Sequence, residues 1–356
     1  NGRALVADVG GSLDKWVFKI GDENGEPDPL KGRVLQPEMA DDVAGLTSEG
    51  NVTLGMWSEL ENGLRSPNYV FTGGTPTQFS ARIAPQLVGL GLLEAIPEAD
   101  ILAWVDSNDA DSDGISGRAA EVTDPVTGDK RLGRFGYKAS TASLLHQVAA
   151  AFNTDIGVTS SVMPTPDCGS EQSGCGESGA EIDDENLNKL VKYIALLGVP
   201  ARRDYDDVEG ENLFTEIGCA DCHRPSYTTS AFHPMAELRS QTIYPYTDML
   251  LHDMGEGLAD NLADGNASGA EWRTAPLWGL GHATDVMVRD EKANDSVSLA
   301  QSADDINRVG YLHDGRARTI EEAILWHGGE GQASKLAYEA LEDAQQLALL
   351  KFLESL

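Results

Sequence analysis

No run of about 18 apolar residues occurs in the 356-residue chain, so no membrane span is predicted. Positive charge is scarce. Lys and Arg number 26 against 58 Asp and Glu, a formal net charge of −32. Such a surface repels nucleic acid and anionic lipid, and suits cationic partners or a salty medium. Cysteine is sparse, with four in the chain. Two of them share one short motif, and no second Cys or His pair stands at zinc-finger spacing, which argues against structural zinc. No βαβ pattern precedes the motif, which argues against a thioredoxin-like dithiol. The chain also starts at Asn1 without a Met or a basic, apolar leader, so a processed or truncated front end is expected.

The motif is "GCADCHRPS", Gly218–Ser226. Cys219 and Cys222 are three residues apart, so one helical turn points both thiols the same way. His223 follows directly. CxxCH is the attachment pattern of a c-type haem, with two thioethers and an imidazole that meets iron from below. The other two cysteines, Cys168 and Cys175, enclose "GSEQSG" in a Gly, Ser and Pro-rich loop. In an exported protein such a loop is closed by a disulfide, and haem c points to the same oxidising, periplasmic compartment.

Haem iron needs a sixth ligand or an open position. Met249, His252, Met254, His282 and Met287 lie downstream. "LLHDMGEGLAD" puts His252 and Met254 in a Gly/Asp-rich segment suited to reach over a haem. Met254 is the expected distal ligand and His252 the alternative.

Short alternating or apolar runs over residues 1–75 read as strands and turns. From about Arg82 the spacing becomes helical, broken by Pro85 and glycines. "IDDENLNKLVKYIALLGV", "EGENLFTEIG" and "ALEDAQQLALLKFLESL" read as amphipathic helices, while residues 228–307 read as mostly irregular. "PARRDYDD" marks a boundary near 201–207, giving domains at 1–203 and 207–356. "DSNDADSDGISGR" spaces Asp109, Asp111 and Asp113 like the first half of a calcium loop. Position twelve is Ala120 where an EF-hand has Glu, so a solvated acidic turn is the other reading.

"LVGLGLLEAIPEADILAWVDSNDADSDGISGR", "LGRFGYKAS", "HQVAAAFNTDIGVTS", "WRTAPLWGLG" and "YLHDGRARTIEEAILWHGGE" resemble the di-haem oxidoreductase family, related to bacterial di-haem cytochrome c peroxidases and to the di-haem enzyme MauG. The resemblance implies a mainly α chain of two cytochrome c-like domains with long irregular loops, plus short β-strands and hairpins as an insertion at about 1–75. It implies one haem per domain, the second collecting electrons and the first meeting peroxide. Only one CxxCH is present, so the first is expected upstream of "NGRA". By the same resemblance Gln147 and Asp155 match a distal amide and acid that move a proton on hydrogen peroxide. Asp155 stands where the relatives have Glu, at a shorter spacing. His146 is an alternative ligand for the first iron. Arg316, Arg318, His313 and His327 are candidates for haem propionate partners or for structural roles, and Trp272 and Trp278 for an electron relay or plain core. The implied function is a periplasmic di-haem c oxidoreductase of peroxidase type. A basic redox partner, a small cytochrome or cupredoxin, would dock on its acidic surface. The rival is a non-catalytic electron carrier or a component of a multi-haem cytochrome assembly.

Overall fold

A computed structural model describes residues 16–22, 24–37, 48–55, 57–60, 62–172, 175–203, 208–283 and 310–356. Met287, the runs before Trp16 and the boundary at 204–207 lie outside the described residues.

A β unit comes first. Strand β1 (Trp16–Gly21) pairs antiparallel with β6 (Gln78–Ile83). β2 (Asn51–Leu54) pairs with β5 (Tyr69–Thr72), and β3 (Ser58–Glu59) with β4 (Arg65–Ser66). β1 alternates, so Trp16, Phe18 and Ile20 face a core shared with Val52, Ala81 and Ile83. Phe18 meets Tyr69 edge-on, with centroids 5.2 Å apart. Such pairs add about 0.5–1.5 kcal/mol beyond area burial.

A helical core follows. It comprises α1 (Leu90–Glu94), α2 (Glu98–Leu102), α3 (Leu144–Asp155) and α4 (Asp184–Ala195). Leu93, Ile101, Leu144, Val148, Leu187 and Ile194 pack inside it. Ser143 and Asp183 cap α3 and α4, each accepting a bond from the backbone N–H three residues on. Between α2 and α3 runs a short pair, β7 (Glu121–Thr123) with β8 (Lys130–Leu132).

The last unit opens with α5 (Glu209–Glu216) and α6 (Cys219–Cys222), and ends with α7 (Ile320–Leu325), α8 (Gln332–Glu339) and α9 (Asp343–Ser355). α5 lies against α9 through Phe214, Leu349, Phe352 and Leu353. Between these helices the chain is not wholly irregular. β9 (Tyr227–Thr228) pairs with β10 (Thr242–Ile243), and β11 (Leu251–Asp253) with β12 (Glu271–Arg273).

The mainly α expectation is therefore corrected. Helix accounts for 28% of the described residues and strand for 17%. Among them only α3, α4 and α9 reach 12 residues or more. Glycine, proline and aspartate disfavour helix interiors, and buried backbone groups in these stretches find partners in two- and three-residue ladders instead.

Candidate functional site

The haem-type motif sits at a helix break. Gly218 takes φ +84°, a left-handed conformation that ends α5 and starts α6. A Cβ there would meet Ser334 Oγ of α8 at 3.0 Å, so α8 closes on the motif's entrance. Cys219 and Cys222 are free and half-buried. Burial, with Cys222 and Asp221 nearby, pushes the Cys219 thiol up to about 12, and burial also raises Cys222. Both sulfurs are protonated thiols.

His223 is oriented by the core. Its Nδ1 lies 2.9 Å from the Tyr246 carbonyl. A carbonyl only accepts, so Nδ1 carries the proton and Nε2 keeps its lone pair. Burial lowers its pKa to about 4, so the ring is neutral. Tyr246 holds φ +52°, sparsely populated for a non-glycine residue. Its ring packs on Phe214 and Phe352 at 5.8 and 5.7 Å, and its hydroxyl donates to Glu211.

His327 repeats the pattern. Its Nδ1 is 2.7 Å from the Ala323 carbonyl, and burial keeps it neutral. It lies near enough for a charge on it to repel one on His223. A Cβ on Gly331 would be 3.1 Å from the His327 ring and 3.2 Å from Met254 Cε, so His327 and Met254 meet at one place. The sequence reading had His327 only as a propionate partner or a structural residue. Its signal as a ligand is the carbonyl four residues back on the same helical turn.

His252 is differently placed. Its Nε2 is 2.8 Å from Asp248 Oδ2 and its Nδ1 2.7 Å from Glu330 Oε2. Burial opposes its charge, but the bonds to Asp248, Cys222 and Glu330 outweigh that and hold its pKa well above the ordinary value. It is an imidazolium with no free lone pair, 3.7 Å from Cys222 Sγ. Both of its ring nitrogens are engaged by carboxylates in this arrangement. Glu330 also accepts from the Ser116 backbone N–H and hydroxyl, at the end of the acidic loop.

In that loop the carboxylates of Asp106, Asp109 and Asp111 gather within 4.8 Å of one another. Asp113, which accepts from the Ile115 N–H, is not in this group, and Asp106 is. Among the described residues this is the one such group of His, Cys, Asp and Glu, so the motif's cysteines are part of no closed metal cage. Beside the motif, Arg224 Nε is buried without a hydrogen-bond partner, and the Arg224 guanidinium lies over Trp104 at 3.9 Å. Two thiols outside any disulfide, a neutral imidazole with a free nitrogen, and an orphaned buried Arg224 Nε fit an added porphyrin.

Gln147 and Asp155 do not converge. Both lie on α3, eight residues apart, or about 12 Å along the helix. Gln147 Oε1 accepts from Thr141 Oγ1, and the Thr154 hydroxyl donates to Asp155, whose pKa burial raises. His146 Nδ1 accepts from the Ala142 N–H, leaving the proton on Nε2, the wrong tautomer for a ligand there. Arg316 is held by Asp314 and the Gly257 carbonyl and lies over Trp326. Arg318 pairs with Glu322. Trp272 stacks on His313, and Trp278 packs near α1. Met249 is fully buried in the helical core, and His282 binds Arg203. Cys168 and Cys175 are joined, with Cα atoms 6.3 Å apart.

Residues 75–356 match the family described as "Di-haem oxidoreductase, putative peroxidase". No curated protein and no solved structure matches the chain.

Proposed function

The chain belongs to the di-haem oxidoreductase family, and on that premise we propose that its last unit is a c-type haem centre in an exported, peroxidase-like oxidoreductase. Cys219 and Cys222 would hold the porphyrin by thioether bonds, and His223 would present Nε2 to the iron. His327 would be the second protein group available to that iron, with Met254 beside it as the second choice. A haem held there supplies reversible one-electron storage.

The observation that carries this reading is the pair His223 and His327. Each gives its Nδ1 proton to a backbone carbonyl, each is neutral, and a charge on His327 would disfavour one on His223. A centre with protein ligands on both sides suits electron collection rather than peroxide binding. Gln147 remains the candidate amide for the peroxide side, and Asp155 a buried acid apart from it. The rival, a pure electron carrier, is favoured by the separation of those two groups.

The family name calls for two haems, and this sequence holds one CxxCH. One covalent haem is assigned to Cys219–Cys222. The joined Cys168 and Cys175 support an oxidising, periplasmic compartment. The charge of −32 supports a basic electron donor of small cytochrome or cupredoxin type. Calcium is the ion the reading gives to Asp106, Asp109 and Asp111; calorimetry on chelator-stripped protein tests it.

Intact mass with pyridine haemochrome counts the haems. A Cys219→Ser/Cys222→Ser protein that still carries covalent haem ends the c-type reading. Near-infrared and electron-spin spectra then decide the axial pair. His327→Ala should lose the low-spin bis-histidine signature and Met254→Leu should keep it; the reverse result overturns the assignment.

A further inference from the structure

A cavity of about 290 Å³ opens where the β unit meets the last unit. One wall is the β3–β4 hairpin, through Leu60, Asn62 and Leu64. These residues lie outside the segment 75–356 that matches the family. The opposite wall carries Met254, Leu325, Trp326 and His327, and α8 adds Gln332 and Lys335. The hairpin is held in place from across the fold. Arg65 Nε donates to the Arg316 carbonyl and Arg318 to the Gly63 carbonyl.

The lining is of two kinds. Leu60, Leu64, Leu325 and Met254 offer an apolar bed. Lys335 offers a cation that is half-buried and, among the described residues, has no ion pair, in a chain where acids outnumber bases more than two to one. Glu256 also lines the cavity but is exposed and unpaired with it. Asn62 and Gln332 supply amides at the exposed rim, as Glu256 does its carboxylate. The volume lies just below the usual range of small-ligand sites, about 300–1,000 Å³, and so suits a short molecule.

We propose that this cavity is a carboxylate site, in which Lys335 and Gln332 take the head group and the leucines take a short alkyl body. The head group comes either from a free small carboxylic acid or from an alkyl carboxylate arm of the haem itself. The second source rests on the haem reading above; the first does not.

The test uses the purified holo-protein, its haem counted first, with butyrate as probe. If butyrate binds saturably by calorimetry, weakens about tenfold or more in Lys335→Met, and recovers in Lys335→Arg, the source is a free acid. Leu64→Trp, which fills the bed, should abolish that uptake. If butyrate does not bind but Lys335→Met alters the pH dependence of the haem midpoint potential while Lys335→Arg preserves it, the source is the haem. Neither effect in a folded protein overturns the proposal. A protein without haem removes the haem reading and leaves the butyrate titration to decide this one.

Discussion

Trp272 and His313 stack face to face, with ring centroids 3.9 Å apart and planes 15° from parallel. Tyr137 meets both rings edge-on, and Lys138 Nζ caps the indole at 4.0 Å. Burial pulls His313 to a pKa of about 4, so the stacked ring is neutral. Unfolding returns it to about 6.5. The unfolded chain then binds more protons between these values, and stability falls as pH falls from about 6.5 to 4. One such group accounts for about 3 kcal/mol. Chemical denaturation across that range should show a flatter decline in His313→Phe than in the parent; equal slopes would remove His313 from the account.

His252→Gln should be costly. It leaves Asp248 and Glu330 facing each other with no cation between them. Removing one partner of a buried ionic group costs about 3–5 kcal/mol. Urea unfolding measures it, and a loss below about 1 kcal/mol would mean the imidazole is not charged. The haem spectrum should keep its low-spin form, since His252 has no lone pair to give.

Gly89→Ala and Gly63→Ala separate two effects. Both glycines are left-handed, at φ +70° and +80°. A Cβ on Gly89 would stand 2.3 Å from the Trp278 ring, while one on Gly63 meets nothing within 4 Å. Gly63→Ala should cost about 1–2 kcal/mol from backbone strain alone. Gly89→Ala should cost clearly more, with near-ultraviolet dichroism of Trp278 altered. Equal losses would show that the α1 turn yields without effort.

Phe352→Ala tests the seam that holds the motif. The ring is fully buried and touches Phe214 and Tyr246, the residue whose carbonyl orients His223. Stability should drop by about 3–5 kcal/mol. Haem incorporation during expression should drop with it; full incorporation would show that Tyr246 is held by other means.

The long helices and CxxCH were legible because each is a local pattern: a helical period for α4 and α9, three residues of spacing for Cys219 and Cys222. The short strands were not. β9 and β10 are two residues each, too brief to show alternation, and their pairing is set by the packing around them. His252 was readable only as a histidine in a loop, because Glu330 lies 78 residues away. His327 carried its cue in plain sight, but a carbonyl four residues back is common to every helical histidine. What singles it out is its meeting with Met254 beside Gly331, which only the folded chain provides.

The turn His327–Gly331 carries two duties within four residues. His327 faces the cavity, and Glu330 grips both His252 and Ser116 of the acidic loop. Gly329, at φ +52°, has no room for a side chain against the Asp253 carbonyl, so the turn has little slack. Through Glu330, the turn that carries His327 is tied both to the strand of His252 and to the end of the acidic loop.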